Sequence, residues 1–177
     1  SKYGLLFHKI VKQFGSGELL ELGTSAGIGT MYFATSSELL NITTIEACKT
    51  TCLFAEKKIK LSGLKNKFHF INNDFDSVFE KDLLKEKFDL IFIDGNHKGN
   101  KLIKYYNEIL ANYVLPKYII IIDDINWSND MFKAWQIIKR LDNSSTYLDL
   151  FRMGIVISGY DIPKGFFTIN FVNKEIL

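Results

Sequence analysis

A glycine-rich stretch directly after a short apolar strand constrains this chain most strongly. Residues 18–22, ELLEL, have the composition of a buried strand, and glycines follow at Gly23, Gly27 and Gly29. Glycine allows the backbone to turn sharply or to approach a ligand closely. The resulting spacing, G-x-x-x-G-x-G, differs from the G-x-G-x-x-G of dinucleotide-binding folds. The stretch fits either an ordinary strand-to-helix turn or a loop that binds another kind of ligand.

Predicted strands and helices alternate along most of the chain. Residues 88–93, FDLIFI, and 118–122, YIIII, are apolar almost throughout, which is typical of parallel strands buried on both faces. The alternation predicts an α/β fold, a Rossmann-like doubly wound and mostly parallel sheet with helices on both faces. A final run of strands predicts antiparallel strands at the C-terminal edge. The predicted helices are 3–14, 30–40, 47–61, 75–85, 100–113 and 129–141, and the predicted strands are 18–22, 42–46, 67–71, 88–93, 118–122, 146–151, 154–158 and 166–172.

Composition narrows the class of protein. A chain of 177 residues with 47% hydrophobic residues suits one globular domain over residues 1–177. The formal net charge of +2 gives no basic excess for a nucleic acid, and no apolar run approaches the roughly 18 residues that span a bilayer. Cys48 and Cys52 are expected to be free thiols of a cytoplasmic protein. Because the chain begins at Ser1 rather than at a methionine, we expect an upstream region.

Polar residues follow each of the first five predicted strands. Ligands of open α/β sheets bind outside the carboxyl ends of the strands, so these residues are expected at one edge. Glu46, at the end of the second strand, suits the two hydroxyls of a ribose, and Asp74, after the third, is placed for an adenine amino group. Taken alone, Asp74 also fits a helix cap. The set comprises Gly23, Thr24, Ser25, Glu46, Asn73, Asp74, Asp94, Asn96, His97, Asp123, Asp124 and Asn126.

Five segments in this order resemble class I S-adenosylmethionine-dependent methyltransferases, particularly the bacterial small-molecule O-methyltransferases. They are ELGTSAGIGT, TIEA, NNDF, FDLIFIDGNH and IIIIDDINW, and the likeness covers nearly the whole chain. The resemblance implies S-adenosylmethionine as the cofactor. It implies that the methionine part is lined by Glu21, Gly23, Thr24, Ser25 and Gly27. The ribose would be bound by Glu46 with Ala47, and the adenine would be bordered by Asp74 with Phe75. The methyl-transfer centre would be bordered by His97 and by Asp94, which would also contact the cofactor.

The resemblance also suggests a metal site. In members similar to catechol or macrolide-sugar O-methyltransferases, an acid after the fourth strand and two polar residues after the fifth hold a divalent cation. These correspond to Asp94, Asp123 and Asp124, whose oxygens suit Mg²⁺. Catechol enzymes usually have asparagine in place of Asp124 and lysine in place of His97, which favours the sugar-modifying relatives. In the alternative, Asp124 caps the next helix and Asp123 faces the cofactor without a metal.

The expected function is methyl transfer to a hydroxyl of a small polar metabolite or sugar. His97 is the candidate general base, because a histidine side chain changes protonation near neutral pH. Trp127 fits either a wall of the methyl-acceptor pocket or a rim aromatic that packs on the next helix. Two other functions stay open: a catalytically inactive cofactor-binding or interaction module, and a nicotinamide-dependent oxidoreductase, which the glycine spacing disfavours. Neither a nucleic acid nor a membrane is an expected partner, and the apolar face of the last strand is compatible with a homodimer.

Overall fold

In the computed structural model, which describes residues 2–170, the chain divides into two compact units. The first ends at Ile91 and the second begins at Phe92, so the strand β4 (Phe88–Ile93) contributes residues to both. The prediction of one domain over residues 1–177 stays a prediction. No helix within this described range is both long and apolar enough to cross a membrane.

The first unit contains a sheet in the strand order β3 (Phe68–Ile71), β2 (Asn41–Ile45), β1 (Glu18–Leu22) and β4, in which β2 is parallel to both β1 and β3. Leu22 pairs with Ile45, and Ile45 pairs with Ile71, so the carboxyl ends of β1, β2 and β3 are level with one another. The polar residues that follow these strands therefore start from the same edge. The elements of this unit, besides β4, are α1 (Lys2–Phe14), β1 (Glu18–Leu22), α2 (Ile28–Ala34), β2 (Asn41–Ile45), α3 (Lys49–Leu61), β3 (Phe68–Ile71) and α4 (Phe75–Glu80).

The second unit ends in strands of mixed direction. Its order is β5 (Val114–Ile122), β7 (Gly154–Ser158), β6 (Thr146–Asp149) and β8 (Gly165–Thr168); β7 is antiparallel to β5 and to β6, whereas β8 is parallel to β6. Gly154 of β7 packs on the buried Trp135, and a Cβ at this position would lie 2.8 Å from the indole ring, so only glycine fits there. The elements are α5 (Gly99–Asn112), β5 (Val114–Ile122), α6 (Asn129–Ile138), β6 (Thr146–Asp149), β7 (Gly154–Ser158) and β8 (Gly165–Thr168).

The predicted fold class is confirmed: the chain forms a Rossmann-like, mostly parallel α/β sheet with an antiparallel component near the C-terminus. Every predicted helix and strand is present in the described part. The strand predicted at 166–172 is observed as Gly165–Thr168, and residues 171 and 172 lie outside the described residues.

Several predicted boundaries are wrong for identifiable reasons. The helix predicted at 30–40 ends at Ala34, where the Ser36 hydroxyl donates to the Tyr32 carbonyl and competes with the helical pattern. The helix predicted at 75–85 ends at Glu80, before the left-handed Asp82 (φ 48°). The helix predicted at 129–141 ends at Ile138, and the strand predicted at 146–151 ends at Asp149. β5 starts before Pro116, which is tolerated because pairing with β7 begins only at Tyr118.

Candidate active site

The glycine loop, residues 23–27, joins β1 to α2 through a left-handed backbone. Gly23 (φ 108°), Ser25 (φ 48°) and Gly27 (φ 77°) all have positive φ. The amides of Gly23 and Thr24 both donate to the Ile45 carbonyl, at 3.0 and 3.1 Å. A Cβ on Gly27 would lie 3.2 Å from the Ile59 side chain, so the loop also approaches α3 closely. Both glycines are therefore required by backbone geometry, as the sequence predicted for a sharp turn after β1.

Glu21 lies beneath this loop and is buried, with 1% of its surface exposed. Its Oε2 atom accepts hydrogen bonds from the hydroxyls of Thr30 and Thr44, each at 2.6 Å. The hydroxyl of Thr24 is 2.6 Å from that of Thr44. Since the single Thr44 hydrogen is used toward Glu21, Thr24 must donate to Thr44. The Glu21 carboxyl group thus links α2 and β2 by hydrogen bonds, and through Thr44 it also links the glycine loop. The predicted contact of Glu21 with the cofactor stays a prediction.

Glu46, directly after β2, is held by backbone amides on both of its carboxylate oxygens. Oε2 accepts from the Ser25 amide at 3.0 Å, and Oε1 accepts from the Cys48 amide at 2.9 Å. The Asn72 side chain donates to the carbonyls of Glu46 and Ala47, at 2.8 and 3.2 Å, and so fixes the backbone beneath the carboxylate. The carboxylate is oriented before any ligand arrives, and each oxygen retains a lone pair for a further donor.

Asp74 caps the short helix α4. Its Oδ1 atom accepts from the Ser77 amide and its Oδ2 atom from the Ser77 hydroxyl, both at 2.9 Å. These bonds favour the ionised form and lower the pKa of Asp74 below its usual value. Phe75 follows as the first residue of the helix and is half-buried. The capping role is therefore observed, and the predicted contacts of Asp74 and Phe75 with adenine stay predictions.

In the second unit, Asp123 and Asp124 share one cation, the guanidinium of Arg152. Nε and Nη2 of Arg152 donate to Oδ1 and Oδ2 of Asp123, at 3.0 and 2.8 Å, in a bidentate pair. The same Nε atom is 3.2 Å from Oδ1 of Asp124. The Asp123 side chain is only 3% exposed, so its charge requires such a partner. Asp124 adopts a left-handed backbone (φ 54°), and its amide donates to Oδ1 of Asp123 at 2.8 Å.

Asp94 and His97 lie in the loop after β4. Nε2 of His97 is 3.9 Å from Oδ1 of Asp94, and the His97 ring is 6.3 Å from the exposed ring of Trp127. Burial, followed by the negative charges of Asp123 and Asp124, raises the pKa of Asp94 to about 6, although His97 and Arg152 act in the opposite direction. The loop thus places a carboxyl group and an imidazole next to each other, beside an exposed aromatic ring.

The three acids that the resemblance assigned to a metal do not fit a divalent cation as they are arranged. Both oxygens of Asp123 accept hydrogen bonds from Arg152, and the positive charge of this guanidinium would repel a metal ion. Over the part of the chain that the structure describes, no three His, Cys, Asp or Glu side chains are grouped so that they could hold a metal. The predicted cap of the next helix by Asp124 is wrong, because Ser128 caps α6 and accepts from the Met131 amide at 3.1 Å, whereas the alternative's other part, that Asp123 faces the cofactor without a metal, stays a prediction.

Four residues of these clusters were not predicted from the sequence: Thr30, Thr44, Asn72 and Arg152. Thr44 could have been found, because a threonine inside an apolar strand next to a buried glutamate needs a hydrogen-bonding partner. Arg152 carried a compositional signal, since it is one of only two arginines in a chain whose other cations are lysines. Thr30 and Asn72 carried no distinguishing signal.

Comparison with known proteins identifies the family. A family model described as a methyltransferase domain matches residues 20–125, which is more than half of the chain. No protein with a curated description matches. The fold is similar to that of the Bacillus cereus O-methyltransferase in complex with SAH, with 24% identity, a TM-score of 0.72, and coverage of 88% of this chain and 80% of that one.

Two further solved structures have the same fold. One is the O-methyltransferase TomG of Streptomyces achromogenes, in complex with SAM (14% identity, TM-score 0.74, coverage 89% and 80%). The other is the SAH-bound methyltransferase PaMTH1 of Podospora anserina (18% identity, TM-score 0.75, coverage 90% and 78%). Likeness at these identities shows the fold, and the family model shows the family. The chain therefore belongs to the methyltransferase-domain family.

Proposed function

We propose that this protein transfers a methyl group from S-adenosylmethionine to a hydroxyl of a small polar metabolite or sugar. The family match and the class I fold support methyl transfer, and the solved relatives bind SAM or SAH. The polar character of the methyl acceptor rests on the likeness of the DGNH loop and the paired acids to sugar-modifying enzymes.

The observation that carries the proposal is the preorganised carboxylate of Glu46. Backbone amides of Ser25 and Cys48 hold its two oxygens, and the glycine loop lies beside it. A carboxylate with one free lone pair on each oxygen suits two adjacent hydroxyl donors, which a ribose provides. The glycine loop then accepts the methionine part of the cofactor, where a side chain on Gly23 or Gly27 would disturb the backbone.

S-adenosylmethionine supplies a methyl group on a positively charged sulfur, and the leaving thioether is neutral. The chain therefore has two tasks, which are to align the methyl acceptor and to remove the proton of its hydroxyl. His97 takes that proton on an imidazole nitrogen as the new C–O bond forms and the C–S bond breaks. Asp94, 3.9 Å from Nε2 of His97, stabilises the imidazolium that results. Because the pKa of Asp94 is about 6, its carboxyl is mostly ionised above this pH and can stabilise the imidazolium.

Calorimetric titration with S-adenosylmethionine tests the proposal, using Glu46→Ala and the control Glu38→Ala. Glu38 is an exposed glutamate before β2, so its removal changes charge by the same amount without touching the loop. We expect wild type and Glu38→Ala to bind alike, and Glu46→Ala to bind about 30- to 150-fold more weakly, equivalent to roughly 2–3 kcal/mol. No heat from the wild type would refute the cofactor assignment, and equal binding by Glu46→Ala would refute the role of Glu46.

Methyl transfer is tested separately from binding. Production of S-adenosylhomocysteine that depends on an added hydroxyl compound supports the enzyme, and His97→Ala should lower its rate by about 100-fold or more. Binding of the cofactor without any transfer across such compounds would favour the inactive binding module instead.

A further inference from the structure

We propose that Arg152 is the resident counter-charge of the Asp123–Asp124 pair, and that methyl transfer by this protein needs no divalent cation. The two acids are those that the resemblance to metal-dependent O-methyltransferases assigned, with Asp94, to a divalent cation. The consequence for catalysis rests on the proposed function, whereas the consequences for cation binding and stability do not.

The geometry of the pair supports this assignment. The guanidinium contacts Asp123 side-on through two hydrogen bonds of 3.0 and 2.8 Å, and it reaches Asp124 at 3.2 Å. Oδ1 of Asp123 also accepts the Asp124 amide at 2.8 Å. A carboxylate oxygen has about two acceptor positions, so Oδ1 of Asp123 is fully used. A metal ion at Asp123 would have to displace the arginine or lie beside its positive charge.

The backbone that carries Arg152 is fixed against the loop that carries the two acids. The carbonyl of Arg152 accepts the Ile125 amide at 3.0 Å, and the Asn126 side chain donates to the carbonyl of Phe151 at 2.5 Å. Between β6 and β7, Phe151 has a left-handed backbone (φ 69°), and the Leu150 amide donates to the Met153 carbonyl at 2.9 Å. Hydrogen bonds to the backbone of the hairpin turn therefore position Arg152 next to the two acids.

The use of arginine rather than lysine at position 152 supports the assignment. The chain contains only two arginines, at positions 140 and 152, and its other basic residues are lysines. A guanidinium presents its donors as a planar fork that matches both oxygens of one carboxylate, which an ammonium group cannot do. In a chain whose basic residues are mostly lysines, Arg152 stands where a bidentate cation is needed.

Removing the guanidinium in Arg152→Met should open the acid pair to a metal ion. This variant leaves Asp123 and Asp124 without their cation, close to Asp94, so a divalent cation should now bind. The probe is Mn²⁺, followed by electron paramagnetic resonance and by its effect on thermal unfolding. Arg140→Met, at an exposed position of the same residue type, is the control, and Arg152→Lys keeps the charge without the bidentate geometry.

We expect wild type and Arg140→Met to show no Mn²⁺ binding up to about 1 mM. Arg152→Met should unfold about 4 °C or more lower, bind Mn²⁺ at least about tenfold more tightly than wild type, and recover stability when Mn²⁺ is added. Arg152→Lys should exclude the ion as wild type does. S-adenosylhomocysteine production by the wild type should be unchanged in excess chelator.

Stoichiometric Mn²⁺ binding by the wild type at micromolar concentration would overturn the proposal, as would loss of methyl transfer in chelator. These two measurements use the wild type alone, so they decide the matter even if Arg152→Met does not fold. Failure to bind S-adenosylmethionine would refute the proposed function and leave the cation result standing.

Discussion

Replacing Thr44 by valine tests whether the hydroxyl chain beneath the glycine loop stabilises it. Thr44 is fully buried in β2, donates to Glu21 at 2.6 Å, and accepts from Thr24, whose hydroxyl is 2.6 Å away. Valine has the same branched shape and the same preference for strands, but it has no hydroxyl. The substitution therefore removes two hydrogen bonds and opens no cavity.

The magnitude follows from the two bonds that are lost. A hydrogen bond to a charged group contributes about 1.5–3 kcal/mol, and a buried donor left without a partner costs about 1–3 kcal/mol. Glu21 keeps its bond from Thr30, and Thr24 can turn toward another acceptor, so we expect the free energy of unfolding to fall by about 3 kcal/mol. For a chain of this size, that corresponds to a midpoint of thermal unfolding lower by about 6–12 °C.

Urea unfolding of wild type, Thr44→Val and Thr43→Val gives the required comparison. Thr43 is the neighbouring buried threonine of β2, on the opposite face, so its replacement should change the free energy of unfolding by less than about 1 kcal/mol. We also expect Thr44→Val to weaken S-adenosylmethionine binding, because Thr24 belongs to the loop. Equal stability losses in the two variants would show that the hydroxyl chain has no special role.

Two further predictions concern single titrating groups. Hydrogen bonds from Thr50, whose hydroxyl is 3.1 Å from Sγ of Cys48, and from Thr51 lower the pKa of the exposed Cys48 thiol to about 7. Iodoacetamide should therefore alkylate Cys48 half-maximally near pH 7 and leave the buried Cys52 unmodified, as measured by mass spectrometry. Equal labelling of both cysteines would contradict this prediction. Burial raises the pKa of Asp94 to about 6, so ionising this carboxyl costs stability as pH rises from about 4 to 6. In urea unfolding, the free energy of unfolding of Asp94→Asn should therefore rise by about 1 kcal/mol relative to wild type between pH 4.5 and 7.5, a value reduced because the side chain is about a third exposed. A difference between the two proteins that stays constant with pH would contradict this cause.

The fold was predictable because its signals are local and repeated. Apolar runs such as 88–93, observed as the strand Phe88–Ile93, are typical of buried parallel strands, and the alternation with helices favours a parallel order. Helix ends were less predictable, because competing local bonds decide them. The Ser36 hydroxyl at the end of α2 and the left-handed Asp82 after α4 illustrate this. The parallel pairing of β8 with β6 depends on tertiary contacts that no local pattern contains.

The positions of the candidate site residues after the strands could be predicted from the sequence, but the pairing of their side chains could not. Strand ends pointed to Glu46, Asp94 and Asp123, since the carboxyl edge of a parallel sheet is where ligands bind. The partner of Asp123 lies 29 residues further along the chain, in a hairpin turn, and long-range pairing of this kind has no periodic signature. The resemblance assigned three acids after two strands to a metal, whereas the structure pairs two of them with an arginine.

Transfer of an isotopically labelled methyl group from S-adenosylmethionine to a panel of sugars and other hydroxylated polar metabolites would test O-methylation directly. We predict label on an oxygen of at least one compound, one S-adenosylhomocysteine formed for each methyl transferred, and a rate at least about 30-fold lower in Glu46→Ala at limiting cofactor. Label found on nitrogen or carbon, or no acceptor-dependent S-adenosylhomocysteine from a protein that binds the cofactor, would contradict it.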